Sequence, residues 1–338
     1  MPTRLVDRSP SVPADRLVAE LVPPPRFDAV RFSTYVPDPA QPSQAAAVQR
    51  LEEVAAGLGR PAAGSSWRRL LGRREAAGPA RGTYLDGGFG VGKTHLLASL
   101  WHAAPGPRAY GTFVGFTNLV GALGFQQTVQ ALSQHVLVCI DEFELDDPGD
   151  TTLMSRLIGE LSDAGVTLAA TSNTLPGALG EGRFAAQDFL REIQNLSGRF
   201  DVVRVEGEDY RHRGLPPAPR PYDDATVTAR ADAAGPGATL DDFPALVEHL
   251  ARLHPSRYGA LLDGVSAVHL RGVGTVTDQS VALRLVVLAD RLYDRAVPVV
   301  TSGVPFDDLF TAEMLRGGYR KKYVRAVSRL GALARDAG

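Results

Sequence analysis

The sequence predicts an α/β protein: a parallel sheet flanked by helices around a P-loop, with a smaller C-terminal α/β subdomain. Three observations predict it. First, Gly87–Thr94 reads GGFGVGKT, between a strand-like run at Thr83, Tyr84 and Leu85 and a helix-like run from His95 to Trp101. That strand–loop–helix setting is what the pattern G-x-x-x-x-G-K-T requires. Second, strand and helix patterns alternate from Thr83 to Asn173, as crossover connections of a parallel sheet do. Third, His135–Ile140 (HVLVCI) is nearly continuous in apolar residues, as expected of a strand buried on both faces.

Along the chain, residues 1–43 are rich in proline and read as loosely structured. A helix is expected from Gln44 to about Leu58, because Ala47, Val48, Leu51, Val54 and Ala55 recur at helical spacing. The stretch SSWRRLLGRRE could form a short basic surface helix with Trp67, Leu70 and Leu71 on one side. Beyond it, Leu153–Ser162 reads as a helix, with Asp150 as its N-cap, and Val166–Thr171 and Val202–Val205 read as strands. Residues 214–239, with PPAPRPYDD and AAGPGA, read as a linker. The expected divisions are an N-terminal extension and helix (1–60), a connector (61–82), a P-loop core (83–213), that linker, and a C-terminal subdomain (240–338). The C-terminal part partly echoes the core at an offset of 130 or 131 residues, with Arg271 where the core has Asp141. Two unrelated strand–helix–strand units could look the same.

Composition sets limits. The 338 residues suffice for about two domains. A net charge of −2 gives no global argument for nucleic acid. No apolar run approaches the ~20 residues of a membrane span, and the acidic and proline-rich start does not read as a secretory signal. The one cysteine, Cys139, sits in an apolar strand and reads as a buried core residue. These features fit a cytoplasmic protein.

The chemistry begins at the loop. Its residues Gly87, Gly88, Phe89, Gly90, Val91 and Gly92 can aim successive backbone N–H groups at phosphate oxygens, helped by the dipole of the following helix. Lys93 can reach the β- and γ-phosphates, and the Thr94 hydroxyl can ligate Mg²⁺. The pattern therefore predicts a nucleoside triphosphate with Mg²⁺, and alone it leaves a kinase, a GTPase or a motor open; the residues that follow narrow the choice to ATP. At the end of HVLVCI stand Asp141, suited to the metal shell, and Glu142, suited to deprotonate an attacking water. The next strand ends in Ser172–Asn173, and an amide at that tip can sense a γ-phosphate because it both donates and accepts. An acidic pair implies water as nucleophile, hence an ATPase. No guanine-recognition motif is present.

With TYLDGGFGVGKTHLL, VCIDEFELDDPGDTTLMSRLIGELSDAGVTLAATSN and FDVVRVEGEDYRHR, the chain resembles the ZapE family of AAA+ ATPases, which joins bacterial cell-division ATPases with mitochondrial relatives. The likeness also takes in QAAAVQRL from Gln44 and RLYDRAVPVVTSG. It implies an AAA+ fold and the nucleotide-binding loop, with His95 and Gln44 added. It also implies Asp141 and Glu142 as the hydrolytic pair and Asn173 as the sensor. AAA+ rings complete each site with a neighbour's arginine, so the resemblance implies a homo-oligomer when ATP is bound. Arg183 and then Arg191, in GRFAAQDFLRE, are the candidates, although the family's Phe-Leu-Pro triplet has Arg191 in place of proline. The implied partner is the FtsZ-type polymer of the division ring. A helicase loader acting on DNA and a nucleotide-switched scaffold without turnover remain open alternatives. Arg284, Arg325 and Arg329 have no assigned role.

Overall fold

A computed structural model describes residues 2–58, 82–88, 90–144, 148–174, 190–207 and 218–337. The chain forms two units, one of Ala14–Pro23 with Phe27–Gly214, the other of Met1–Pro13, Pro24–Arg26 and Leu215–Gly338.

The first unit carries strands β1 (Gly82–Asp86), β2 (Arg108–Thr112), β3 (Leu137–Asp141), β4 (Thr167–Ser172) and β5 (Phe200–Arg204). They form one sheet in the order β2-β3-β4-β1-β5, with every pairing parallel. Its helices are α1 (Ala14–Ala19), α2 (Pro42–Gly57), α3 (Lys93–Ala103), α4 (Phe113–Leu123), α5 (Phe125–Leu132), α6 (Pro148–Asp163) and α7 (Leu190–Ser197). Side chains alternate across a strand, so Leu137 and Cys139 of β3 pack with Ala47 and Leu51 of α2 and Leu96, Leu97 and Leu100 of α3. Val138 and Ile140, equally buried, face the other way. The expected sheet with helices on both faces is the observed one, and Cys139 is buried in it.

The second unit has strands β6 (Ala238–Asp242), β7 (Ala267–Val273) and β8 (Val299–Gly303), parallel and in that order. Helices α8 (Asp224–Ala233), α9 (Phe243–Arg252), α10 (Tyr258–Leu261), α11 (Gln279–Asp294) and α12 (Arg320–Asp336) surround it. Helix α9 buries Phe243, Leu246 and Leu250, one stripe at helical spacing. Among the described residues, no helix is long and apolar enough to cross a membrane.

Several expectations need correction. Among the described residues, the start of the expected loose segment 1–43 is not loose. The Thr3 N–H donates to Ala238 O at 3.0 Å and Leu240 N–H to Thr3 O at 2.9 Å, so Thr3 extends the sheet beside β6. Leu5 is fully buried, and the Asp241 carboxylate accepts from Leu5 N–H and Val6 N–H. Among the described residues of the expected linker, Asp224–Ala233 form helix α8. Asp223 caps α8 through Thr226 N–H, and Val227 and Ala231, one turn apart, are buried. Helix α2 begins two residues early at Pro42, near a helix start where proline's missing N–H costs nothing. Asp150 lies in the first turn of α6, which begins at Pro148, and so is not its N-cap. Strand β5 runs Phe200–Arg204 rather than Val202–Val205. The basic stretch around Trp67 lies outside the described residues.

Candidate active site

The P-loop leaves β1 and enters α3, and the local backbone demands glycine at several of its positions. A Cβ on Gly87 would stand 2.1 Å from the Val205 carbonyl oxygen. Gly92 has φ of +88° at the start of α3, a region L-residues rarely adopt. Gly88, Gly90 and the buried Val91 complete the described part of the loop, while Phe89 lies outside the described residues. Lys93 is buried at the first turn of α3. Its ammonium donates to Gly87 O at 2.9 Å, to Gly88 O and to Asn173 Oδ1 at 2.9 Å. One cation thus gathers the loop and the tip of β4. At the end of β1, Asp86 is buried, and that burial raises its pKa despite nearby Arg204 and Lys93.

Parallel register brings the acidic group together. Tyr110 of β2 pairs with Cys139 of β3, and Asp141 is the next residue on that face. On the other side Ala169 of β4 pairs with Cys139, and Thr171 is next in turn. Asp141 consequently sits between two hydroxyls. Its Oδ2 accepts from Tyr110 OH at 2.7 Å, and its Oδ1 accepts from the Thr171 hydroxyl. The same Oδ1 accepts from Thr94 Oγ1 at 3.3 Å. Burial first, and then the Asp141 charge, push the Tyr110 phenol pKa well up, so it remains a donor. Thr94 and Asp141 side by side are a hard-oxygen donor set that suits Mg²⁺, which favours few protein ligands plus water and phosphate.

Glu142 leaves β3 with φ of +52°, a strained conformation for a residue with a side chain. Its N–H is held by Thr171 Oγ1 and Asp141 Oδ1, each at 3.1 Å. Asn173 bridges Lys93 and Glu144, donating from Nδ2 to the buried Glu144 Oε1 at 3.5 Å. Acid, amide and cation therefore share one edge of the sheet, at the carboxyl ends of its strands, where open α/β sheets bind ligands.

Gln44 and His95 flank the loop in different ways. The Gln44 amide is used at both ends: Nε2 donates to Glu206 O and Oε1 accepts from Asp38 N–H, each at 2.8 Å. Gln44 therefore clamps the chain beside the loop through internal bonds. His95 contacts Thr34 Oγ1 at 3.0 Å and lies edge-on to the Tyr35 ring, whose OH donates to Val91 O. Arg183 lies outside the described residues; Arg191 is in α7, and its side chain is not described. Tyr35, Asp86, Tyr110, Glu144 and Thr171 escape sequence reasoning. Tyr110 and Thr171 meet Asp141 only through strand register, which no local pattern in the sequence signals.

Of the arginines without a role, Arg284 donates to Leu250 O and Leu253 O, closing the end of α9. Arg325 and Arg329 both bind Asp290, the former at 3.1 Å. All three are engaged within the second unit.

The model of the AFG1-like ATPase family matches residues 11–233 and 220–337. "Cell division protein ZapE" of Escherichia coli is 29% identical over 307 residues, 78% of this chain and 80% of its own. "Lactation elevated protein 1 homolog B" of Danio rerio is 26% identical over 167 residues, 43% of this chain and 33% of its own. Among solved structures, AMPPCP-bound DnaA from Aquifex aeolicus covers 54% of this chain and 51% of its own, with 14% identity and a TM-score of 0.40. That last likeness is too distant to carry an argument. The family match spans both units, and with it the P-loop and the acidic strand end: the chain belongs to the AFG1-like ATPase family.

Proposed function

We propose that this ATPase hydrolyses ATP at the edge formed by Lys93, Thr94, Asp141, Glu142 and Asn173, and applies the turnover to a protein partner, an FtsZ-type division filament. The observation that carries the site is the convergence of three strands and the loop on Asp141 and Lys93. ATP with Mg²⁺ supplies the phosphoryl group and neutralises its charge. Lys93 exchanges the carbonyls of Gly87 and Gly88 for phosphate oxygens, since a cation prefers anionic acceptors over neutral ones. Thr94 and Asp141 hold the metal. Glu142 takes a proton from the attacking water while the bond to the leaving ADP oxygen breaks. Asn173, already bonded to Lys93, links the phosphate end to Glu144. Arg183, with Arg191 second, completes the site of a neighbouring subunit, which makes the active form a homo-oligomer.

The partner rests on the division-protein relative that matches most of this chain. The test is steady-state ATP turnover with and without FtsZ filaments, beside Lys93→Ala and Glu142→Gln. Lys93→Ala should lose nucleotide binding; Glu142→Gln should hold ATP and stall. A Gln variant turning over at the parent rate would remove Glu142 as base. Turnover that responds to single-stranded DNA and not to filaments would replace the partner by nucleic acid. For the arginines, mixing Lys93→Ala with Arg183→Ala subunits should restore activity.

A further inference from the structure

The strand registers of the two units coincide. In the first, β2 pairs with β3 from Arg108↔Leu137 to Thr112↔Asp141; in the second, β6 pairs with β7 from Ala238↔Ala267 to Asp242↔Arg271. Each pair is the other moved by 130 positions. The third strand follows, with Ile140↔Ala170 matched by Leu270↔Thr301, one residue further on. The missing first strand is also represented: Tyr222 bridges Ser302 on the far side of β8, as Leu85 pairs with Thr171 beside β4. From that bridge α8 leads to β6, as α3 leads from β1 to β2.

Local geometry repeats with the register. The described residues other than glycine with positive φ are Glu142 and Ala296, and each has a glycine counterpart in the other unit, Gly272 at +63° and Gly165 at +87°. Glu142 N–H is held by Thr171 Oγ1 at 3.1 Å, and Gly272 N–H by Ser302 Oγ at 2.9 Å. Helix α6 ends with Val166 N–H on Leu161 O, and α11 ends with Val297 N–H on Leu292 O, both at 3.0 Å. Handedness rules make two parallel α/β units alike in order. They do not dictate equal registers, equal helix ends and left-handed residues at matching positions.

The chemistry at the matching edge is different. Where Asp141 stands, the second unit has Arg271, whose guanidinium is bound by Asp242 at 2.9 Å. Where Thr171 stands, Ser302 is bonded to Gly272 N–H and to the Asp224 carboxylate. The run from Tyr222 to Ala238 is shorter than that from Leu85 to Arg108 by about the length of a P-loop. No lysine matches Lys93, since the other two lysines are Lys321 and Lys322 in α12.

We propose that the C-terminal unit is a second copy of the ATPase module whose nucleotide edge has been closed by the Arg271–Asp242 and Ser302–Asp224 pairs, so that each chain holds one nucleotide, at Lys93. The count rests on the reading of the P-loop given above. Calorimetric titration of the full chain with Mg²⁺ and a non-hydrolysable ATP analogue tests it. The parent should bind one analogue per chain, and Lys93→Ala none. Two sites in the parent, or one left in Lys93→Ala that Arg271→Ala then weakens, would overturn the closed copy. A parent that binds none would instead remove the P-loop reading, while agreeing with a closed C-terminal unit.

Discussion

The Tyr110 hydroxyl donates to Asp141 Oδ2 at 2.7 Å, from a side chain buried between β2 and α3. It fixes the carboxylate from the side away from Thr94, leaving Oδ1 turned to the Thr94 and Thr171 hydroxyls. A hydrogen bond to a charged group is worth about 1.5–3 kcal/mol. Tyr110→Phe keeps the ring and loses only the donor. The Mg²⁺ concentration for half-maximal turnover should therefore rise by roughly tenfold or more, with metal-free nucleotide binding unchanged. A Mg²⁺ requirement equal to that of the parent would make Tyr110 a packing residue only.

Asn173 joins the loop lysine to Glu144, and it stands at a strand tip rather than in the loop. Asn173→Ala should lower kcat by about 10²-fold, the scale for losing one positioned polar group at a transition state. Nucleotide affinity should stay within a few-fold, because Lys93 keeps its charge for the phosphate oxygens. Single-turnover hydrolysis beside equilibrium binding separates the two quantities. An equal fall in both would make Asn173 a ground-state phosphate ligand.

How much of this was legible depended on where each contact is encoded. The P-loop and the Asp141–Glu142 pair are local patterns, readable because glycine spacing and an apolar strand identify themselves. Tyr110 and Thr171 reach Asp141 only through strand register, and register is set by pairing between distant segments. The N-terminal residues read as loose because composition alone signalled disorder. Asp241 reveals their role only when its carboxylate is seen to bind Leu5 and Val6 N–H. The supposed linker misled for the same reason, since Asp223 as cap and Val227 with Ala231 as a buried stripe are short signals among prolines.

Arg325 and Arg329 had no role legible in the sequence because their partner, Asp290, lies on another helix. Burial alone would raise the Asp290 pKa, but the two guanidiniums outweigh it and hold it below the ordinary 3.8. The folded chain therefore releases this proton more readily than the unfolded chain. The resulting stability is present above pH 3.8 and is lost as pH falls through the lowered value. Asp290→Asn removes the carboxylate charge shared by two half-buried guanidiniums, a change that costs about 1.5–3 kcal/mol. The variant should unfold at lower urea at pH 7, and its acid limb should flatten as the parent approaches it. A parent and variant with parallel pH profiles would show that Asp290 does not titrate with folding.

Gly165 and Ala296 occupy the same helix-end position, one with the residue that conformation favours and one without. A left-handed L-residue costs roughly 1–2 kcal/mol relative to the right-handed region. Glycine gives back part of that through the entropy of the unfolded chain, about 0.5–1 kcal/mol. Ala296→Gly should therefore stabilise the protein slightly, by up to about 1 kcal/mol. Gly165→Ala should destabilise it by a similar amount, and a Cβ there meets nothing within 4 Å, so the effect is conformational rather than steric. Urea midpoints of both variants at one pH give the signs. Opposite shifts agree with two copies of one helix end, of which the C-terminal copy has drifted from glycine. Shifts of the same sign would mean the two turns carry different strain, and the match between the units would then stop at the strand register.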